Sequence, residues 1–391
     1  MPRHTISLRK ENCFVFTILT NQSHFGLLEP KEELKIMTNT ARPLKVGLIG
    51  SGAIAREQHL PYWRELEEEG RVRIVGVCDL IRERREKESA LCANAVPYAD
   101  YKKMLQKESF DIIDVCTQNR VHAPATIAAL NAGAHVLVEK PMAMSSRECD
   151  AMIAASKKAE RKLMVAQHMR FEARAEKLKE VVDSGALGEI YTAETKWLRR
   201  RGIPGWGQFH IKKESLGGPL IDIGVHMMDL CVWLMGCPKP VAASGKVYRK
   251  FGDRKDLFNA DWGVHYPAEE FDVEDYATAL IRFEKGITMQ MSVSWAANVH
   301  DEIEDMYILG DKGGIGINPL GYFSADHSSL TRTTWDWLSA EDGHRREVRH
   351  FCECVEKDLP VMVKPEESLR IQKIIDAIYE SSRLNKEVMI K

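Results

Sequence analysis

An α/β fold in two parts is what the sequence predicts: a parallel, doubly wound sheet, then an α+β part with a large, mostly antiparallel sheet. From Leu44, short apolar runs alternate with helical patterns in βαβα order, which calls for a parallel sheet. After about Gln167 the order changes to successive β-rich runs joined by short turns. The chain has 391 residues, enough for two domains at roughly 100–200 residues each.

The elements follow from these patterns. "LKVGLIG" (44–50) is a continuous apolar run, as suits a strand buried on both faces. A helix is expected from about Ile54, interrupted near Pro61. "VRIVGVCD" (72–79) is the next strand, followed by the charged helix "LIRERREKESALCA". "FDIIDVCT" (110–117) is a third strand and "APATIAALNAG" (123–133) a helix ended by Gly133. "AHVLVEK" (134–140), a helix from Ser145 and the strand "KLMVAQH" (162–168) complete the first part.

In the second part, a helix from Glu172 to Ser184 leads into the strand "EIYTAETKWL". A Gly-rich loop (199–219) precedes a helix starting near Asp222. The β-rich runs are "VAASGKVY", "EDYATALIRFEKGITMQMSVSWAA" and "DMYILGDKGGIGI", with hairpin turns at "EKG" and "GDKGG". Helices over 345–357 and 365–385 close the chain. With no repeat, low-complexity tract or flexible linker in view, domains at 44–166 and 167–391 should pack closely. Residues 1–43 read as a disordered extension.

Composition narrows the function classes. The net charge of −2 gives nothing that recruits nucleic acid or an anionic membrane, and 44% hydrophobic residues is ordinary for a globular protein. No apolar run reaches the ~18 residues that span a bilayer. Nine cysteines lack a CxxC pair and no export signal is visible. Reduced thiols in a cytoplasmic setting are therefore expected.

Chemistry concentrates at strand ends. Gly50-Ser51-Gly52-Ala53-Ile54-Ala55 is a GxGxxA directly after a strand and opening a helix. Gly50 permits the tight turn, Gly52 lets the backbone approach a pyrophosphate, and Ala55 allows close helix–strand packing. Asp79, ending the second strand, would accept hydrogen bonds from ribose hydroxyls and repel a 2′-phosphate, favouring NAD over NADP. Arg82, Arg84 and Arg85 could soften that preference, or form a solvated helix face.

Thr117, Asn119 and His122 fall at the carboxyl end of the third strand, the edge that lines ligand crevices in open α/β sheets. Asn119 could hold a ribose or cap the next helix. His122 could meet the cofactor or serve only the helix start. Glu139 and Lys140 end the fourth strand on the same edge. A lysine is costly there unless partnered. Its favoured role is to bond the reacting oxygen, with an internal ion pair to Glu139 as the structural alternative.

Asp222 and His226 lie four apart on a helix, where the carboxylate could orient the imidazole as a general base. Asp229 would complete a conceivable metal triad, but the nearby lysine opposes a cation and no metal is expected. Trp197, Trp206 and Phe209 could stack on a sugar ring, and Arg199 to Arg201 or Lys212 and Lys213 could meet an anionic group. The same loop could equally be a plain surface or inter-subunit segment.

Together GSGAIA, TQNRVH, AGAHVLVEKP, HMRF (168–171), GGPLIDIGVHMMDL and KIIDAIYESS resemble the Gfo/Idh/MocA oxidoreductase family from about Leu44 to the C-terminus. The resemblance implies a Rossmann domain, an open-faced α+β domain whose sheet makes homodimers or homotetramers, and a tightly held NAD(P). It also implies Lys140, Asp222 and His226 as the catalytic set, a cis Lys140–Pro141 bond, and Arg170 near cofactor or substrate. The GIPGWG loop and the insert "FGDRKDLFNADWGVHYPAEEFDVED" exceed the simplest members and resemble a branch acting on sugars or glycosides.

The expected activity is oxidation of a secondary alcohol of a sugar, glycoside or cyclitol by NAD. One rival is glycoside cleavage or epimerisation through transient oxidation by bound NAD. The other is a non-catalytic cofactor-sensing regulator, which could dispense with the reactive trio.

Overall fold

The computed structural model describes residues 42–93, 95–256 and 266–391. The expectation for the N-terminal extension therefore falls outside the described residues, apart from Arg42 and Pro43. Two sheets organise the rest, and Arg42–Lys391 form a single compact unit.

The first sheet is built from β1 (Leu44–Ile49), β2 (Val72–Cys78), β3 (Val96–Tyr98), β4 (Ile112–Val115), β5 (His135–Glu139) and β6 (Leu163–Ala166). Its order is β3-β2-β1-β4-β5-β6, and every pairing is parallel. The connecting helices are α1 (Leu60–Glu68), α2 (Arg82–Ala90), α3 (Tyr101–Lys107), α4 (Asn119–Asn131) and α5 (Ser146–Ala159). β4 and β6 are buried at every residue, which suits their apolar character, Asp114 of β4 excepted. The order reverses between β1, which continues to β2, and β4, which continues to β5; such a switch point opens a crevice at the carboxyl strand ends.

Two short elements, β3 and α3, were not expected. β3 has only three residues, two of them exposed, and lies at the sheet edge. Pro61 is accommodated rather than disruptive: a π-helical turn (Ala55–His59) precedes it, and the α-helix resumes with Pro61 in its first turn, where its missing N–H matters little.

The second sheet comprises β7 (Ile190–Leu198), β8 (Pro240–Tyr248), β9 (Tyr276–Phe283), β10 (Thr288–Ser294), β11 (Ile303–Gly310), β12 (Gly313–Ile317), β13 (Leu320–Asp326), β14 (Ser329–Thr333) and β15 (Val388–Met389). Its order is β14-β13-β12-β11-β7-β10-β9-β8-β15. All pairings are antiparallel except β7 with β10. The expectation of a mostly antiparallel second sheet is met, and the hairpin of β13 and β14 extends it.

Helices α6 (Ala173–Asp183), α7 (Lys212–Ser215), α8 (Val225–Leu234), α9 (Gly343–Glu356) and α10 (Pro365–Leu384) complete the fold. Nine of the ten α8 residues are buried, so this helix is apolar nearly all round and carries His226 inside the second core. α9 turns back to the first core, to which it gives Val348, Phe351 and Cys352. No helix among the described residues is long and apolar enough to cross a membrane.

Candidate active site

The glycine turn fits a dinucleotide. Gly50 has φ +96°, and a Cβ there would stand 2.3 Å from the Cys116 carbonyl oxygen, so only glycine is accommodated. A Cβ on Gly52 would meet nothing within 4 Å, leaving the room that a pyrophosphate needs against the backbone. Ala55 is wholly buried where the helix packs on the sheet. Asp79 faces the same turn: its Oδ2 accepts from the Ser51 N–H (2.9 Å) and hydroxyl (3.1 Å), and its Oδ1 from the Ile81 N–H (2.8 Å). Ser51, Ala53 and Ile54 thus belong to a turn pinned to the acidic end of β2.

At the end of β5 the Lys140–Pro141 peptide is cis, as the resemblance implied. Lys140 Nζ donates to Asp222 Oδ1 (3.1 Å) and to the Asp222 main-chain oxygen (3.0 Å). The other carboxylate oxygen of Asp222 accepts from Trp295 Nε1 (3.0 Å). Both hydrogen-bonding sides of Asp222 are therefore engaged without His226. This corrects the expectation that Asp222 orients the imidazole. Residues Leu220–Gly224 form a π-helical turn ahead of α8, so Asp222 and His226 lie in consecutive helical segments rather than in one α-helix. Trp295, at the end of the β10 run, was missed because an apolar strand end gave no hint that its indole meets the site.

His226 is 7% exposed, and its Nδ1 is enclosed with no hydrogen-bond partner among the described residues. Its ring lies edge-on to His168 (centroids 4.9 Å), which stacks on His344 at 3.8 Å. The Trp197 ring is 6.5 Å away, and Arg199 lies over Trp197 at 5.5 Å. Burial, reinforced by Lys140 and the neighbouring histidines, holds the His226 pKa well below the ordinary imidazole value. The ring is neutral, the form that accepts a proton. Burial likewise lowers His168 to about 3.

Arg170, Asn119, His122 and Glu139, expected near the cofactor, each have protein partners. Arg170 is buried and bound to Asp229 by two hydrogen bonds (2.6 and 2.7 Å) and to Glu367 by a third (2.6 Å). It sits in a buried ion pair, which withdraws Asp229 from the conceivable metal triad. Asn119 is the first residue of α4 rather than its cap, and its amide donates to the Ser215 carbonyl (2.7 Å). His122 is wholly buried, its nitrogens facing the Pro141 (2.7 Å) and Thr117 (3.0 Å) carbonyls, so it ties strand ends together from behind.

Glu139 is also turned inward, with one carboxylate oxygen on His59 (2.8 Å) and the other on the Lys140 main-chain N–H (3.0 Å). It does not pair with the lysine amine. Thr117 remains half-buried on the crevice edge. Trp206 is 43% exposed on the loop after β7.

A glycine turn, an acidic strand end and a lysine–carboxylate pair at one switch point define a dinucleotide-dependent oxidoreductase fold. Comparison with known proteins agrees. Residues 44–167 match the oxidoreductase family's NAD-binding Rossmann fold, and residues 179–390 match its C-terminal alpha/beta domain. The chain belongs to the Gfo/Idh/MocA oxidoreductase family.

Among its relatives, D-glucoside 3-dehydrogenase of Escherichia coli (strain K12) is 31% identical over 350 residues, covering 89% of this chain and 98% of that protein. Inositol 2-dehydrogenase of Salmonella paratyphi B is 27% identical over 196 residues, covering 49% of this chain and 54% of that protein. The structure of levoglucosan dehydrogenase in complex with NADH and levoglucosan superposes with a TM-score of 0.76 at 21% identity, covering 89% of this chain and 99% of that chain, which shows a shared fold. The protein is an enzyme, an NAD-binding oxidoreductase whose relatives are named as sugar and polyol dehydrogenases.

Proposed function

We propose that this enzyme oxidises a secondary alcohol of a sugar, glycoside or cyclitol, with Lys140, Asp222 and His226 as the reacting set. The observation that carries this reading is the Lys140–Asp222 contact beside a buried, neutral His226. Lys140 donates to the substrate oxygen and polarises it, and His226 accepts the hydroxyl proton. Asp222 acts on Lys140, holding its amine toward the crevice while Trp295 fixes the carboxylate. Bound nicotinamide supplies the hydride acceptor. Asp79, already gathered onto the glycine turn, supports NAD in preference to NADP, since a 2′-phosphate would meet its charge.

A glucoside is the first substrate to try, on the strength of the relative named D-glucoside 3-dehydrogenase. Trp197 offers a face for the sugar ring. Assembly through the second sheet is part of the same reading, supported by exposed Tyr191 and Leu309 on its central strands. So is a reducing, cytoplasmic setting, which the free described cysteines suit.

The test is a panel of glucosides, free sugars and inositols assayed for NADH formation, with the oxidised carbon identified. Net NADH with a ketone product supports the reading. A cleaved or epimerised product without net NADH replaces it with transient oxidation.

A further inference from the structure

Behind Lys140, sealed from solvent, lies a polar cluster that the proposed reaction does not use. His59 ends the π-helical turn that follows the dinucleotide glycines. Its Nδ1 faces Asp114 Oδ2 at 2.9 Å and its Nε2 faces Glu139 Oε1 at 2.8 Å. Trp63 Nε1 donates to the same Asp114 oxygen (2.7 Å), and the second Glu139 oxygen accepts from the Lys140 N–H (3.0 Å). His59 and Asp114 are wholly enclosed, and Glu139 is nearly so.

Each of the two imidazole–carboxylate contacts needs a proton between its atoms. Burial alone would strip the ring, but Asp114 and Cys116 outweigh it and raise the His59 pKa well above the ordinary value. Burial would raise Glu139, yet its bond to His59 brings it down to about 2. The ring therefore carries both protons, and the Glu139 carboxylate that it meets is ionised. The ionisable neighbours of the ring are Asp114 and Cys116 at the end of β4, Glu139 and Lys140 at the end of β5, and Glu347 and His344 from α9. Ligand atoms of His59, Asp114 and Cys116 lie within 4.8 Å of one another, but both ring nitrogens already meet carboxylates at hydrogen-bond length, the geometry of a proton-filled network.

We propose that His59 is a positioning residue for Lys140. Through Glu139 it braces the peptide that carries the reactive amine against the helical turn following the dinucleotide glycines. This rests on the reading of Lys140 as a reacting group. A rigid first turn on one side and a fixed Lys140 peptide on the other place cofactor and amine in one register. Loss of such placement by about 1 Å lowers rates by about 100-fold.

The test compares His59→Gln, which can still donate to Glu139, with His59→Leu, which cannot. The expected result is a kcat loss of about 100-fold in His59→Leu and less than about 10-fold in His59→Gln, with the NAD dissociation constant and substrate KM nearly unchanged. In parallel, nitrogen NMR of ring-labelled wild-type protein at pH 8, with the His59 signals assigned by their loss in His59→Gln, should show both nitrogens protonated. That second readout stands even where His59→Leu fails to fold.

Equal losses in both variants, unchanged kcat in folded His59→Leu, or a singly protonated His59 overturns the proposal while leaving the proposed reaction standing. Absence of turnover in the wild-type enzyme on the whole substrate panel overturns both.

Discussion

Lys140 and Asp222, 82 residues apart in sequence, meet through two hydrogen bonds, one to the carboxylate (3.1 Å) and one to the main-chain oxygen (3.0 Å). The contact joins the end of the parallel sheet to the helical segment that enters the second core. It engages Asp222 with the lysine; in the proposed reaction the imidazole of His226 is then the group that meets the substrate.

Asp222→Asn removes the charge and leaves one of Lys140 and Trp295 facing an amide nitrogen. We expect kcat to fall by about 10- to 100-fold with NAD affinity retained. In double-mutant cycles, Asp222→Asn should be non-additive with Lys140→Ala and close to additive with His226→Ala. Strong coupling to His226 alone would restore the carboxylate–imidazole pairing that the geometry denies.

Gly50 and Gly52 should fail differently. Gly50→Ala places a Cβ 2.3 Å from a carbonyl oxygen at φ +96°, so it should lower the melting temperature. Gly52→Ala meets open space in the protein, so it should fold normally and bind NAD more weakly, by calorimetric titration. Unaltered NAD affinity in Gly52→Ala would argue against a pyrophosphate at this turn.

Arg170 should be a stability residue. Removing one partner of a buried ion pair costs about 3–5 kcal/mol, so Asp229→Ala should shift the urea midpoint down strongly. The protein that remains folded should bind NAD as the wild type does. A selective loss of NAD binding would return Arg170 to the cofactor.

Glu347 is enclosed with neither carboxyl oxygen hydrogen-bonded among the described residues, and burial raises its pKa well above the ordinary 4.5. The folded state then holds this proton more tightly than the unfolded state. Stability contributed by the group falls as pH rises from about 4.5 toward the folded pKa, by up to ~1.4 kcal/mol per pH unit. Glu347→Gln lacks that loss. Its melting temperature relative to wild type should be higher at pH 8 than at pH 5; an identical difference at both would contradict a protonated Glu347.

Much of the fold was legible because burial leaves a one-dimensional trace. β1, β2 and β5 each hold an unbroken apolar stretch (46–49, 74–78 and 136–138), and the glycine turn is local in sequence. Edge strand β3 has too few buried residues to leave such a trace. The return of α9 to the first core is a matter of which core accepts an amphipathic face, which its own pattern does not state.

In the site, Lys140, Asp222 and His226 were readable as residues, but their pairing was not. Lys140 and Trp295 claim the two oxygens of Asp222 from 82 and 73 residues away. His59, Asp114 and Trp295 were invisible for a related reason. Isolated polar or aromatic groups inside apolar runs acquire meaning only from partners many residues away, such as Glu139 at a separation of 80 from His59.

The central claim is that Lys140 polarises an alcohol oxygen which gives up its proton to His226. Single-turnover NADH formation by Lys140→Ala, at saturating NAD and with a substrate the wild type oxidises, tests it most directly. The account predicts a rate reduced by about 100-fold or more, with NAD binding intact. A Lys140→Ala enzyme that forms NADH within a few-fold of the wild-type rate would contradict it.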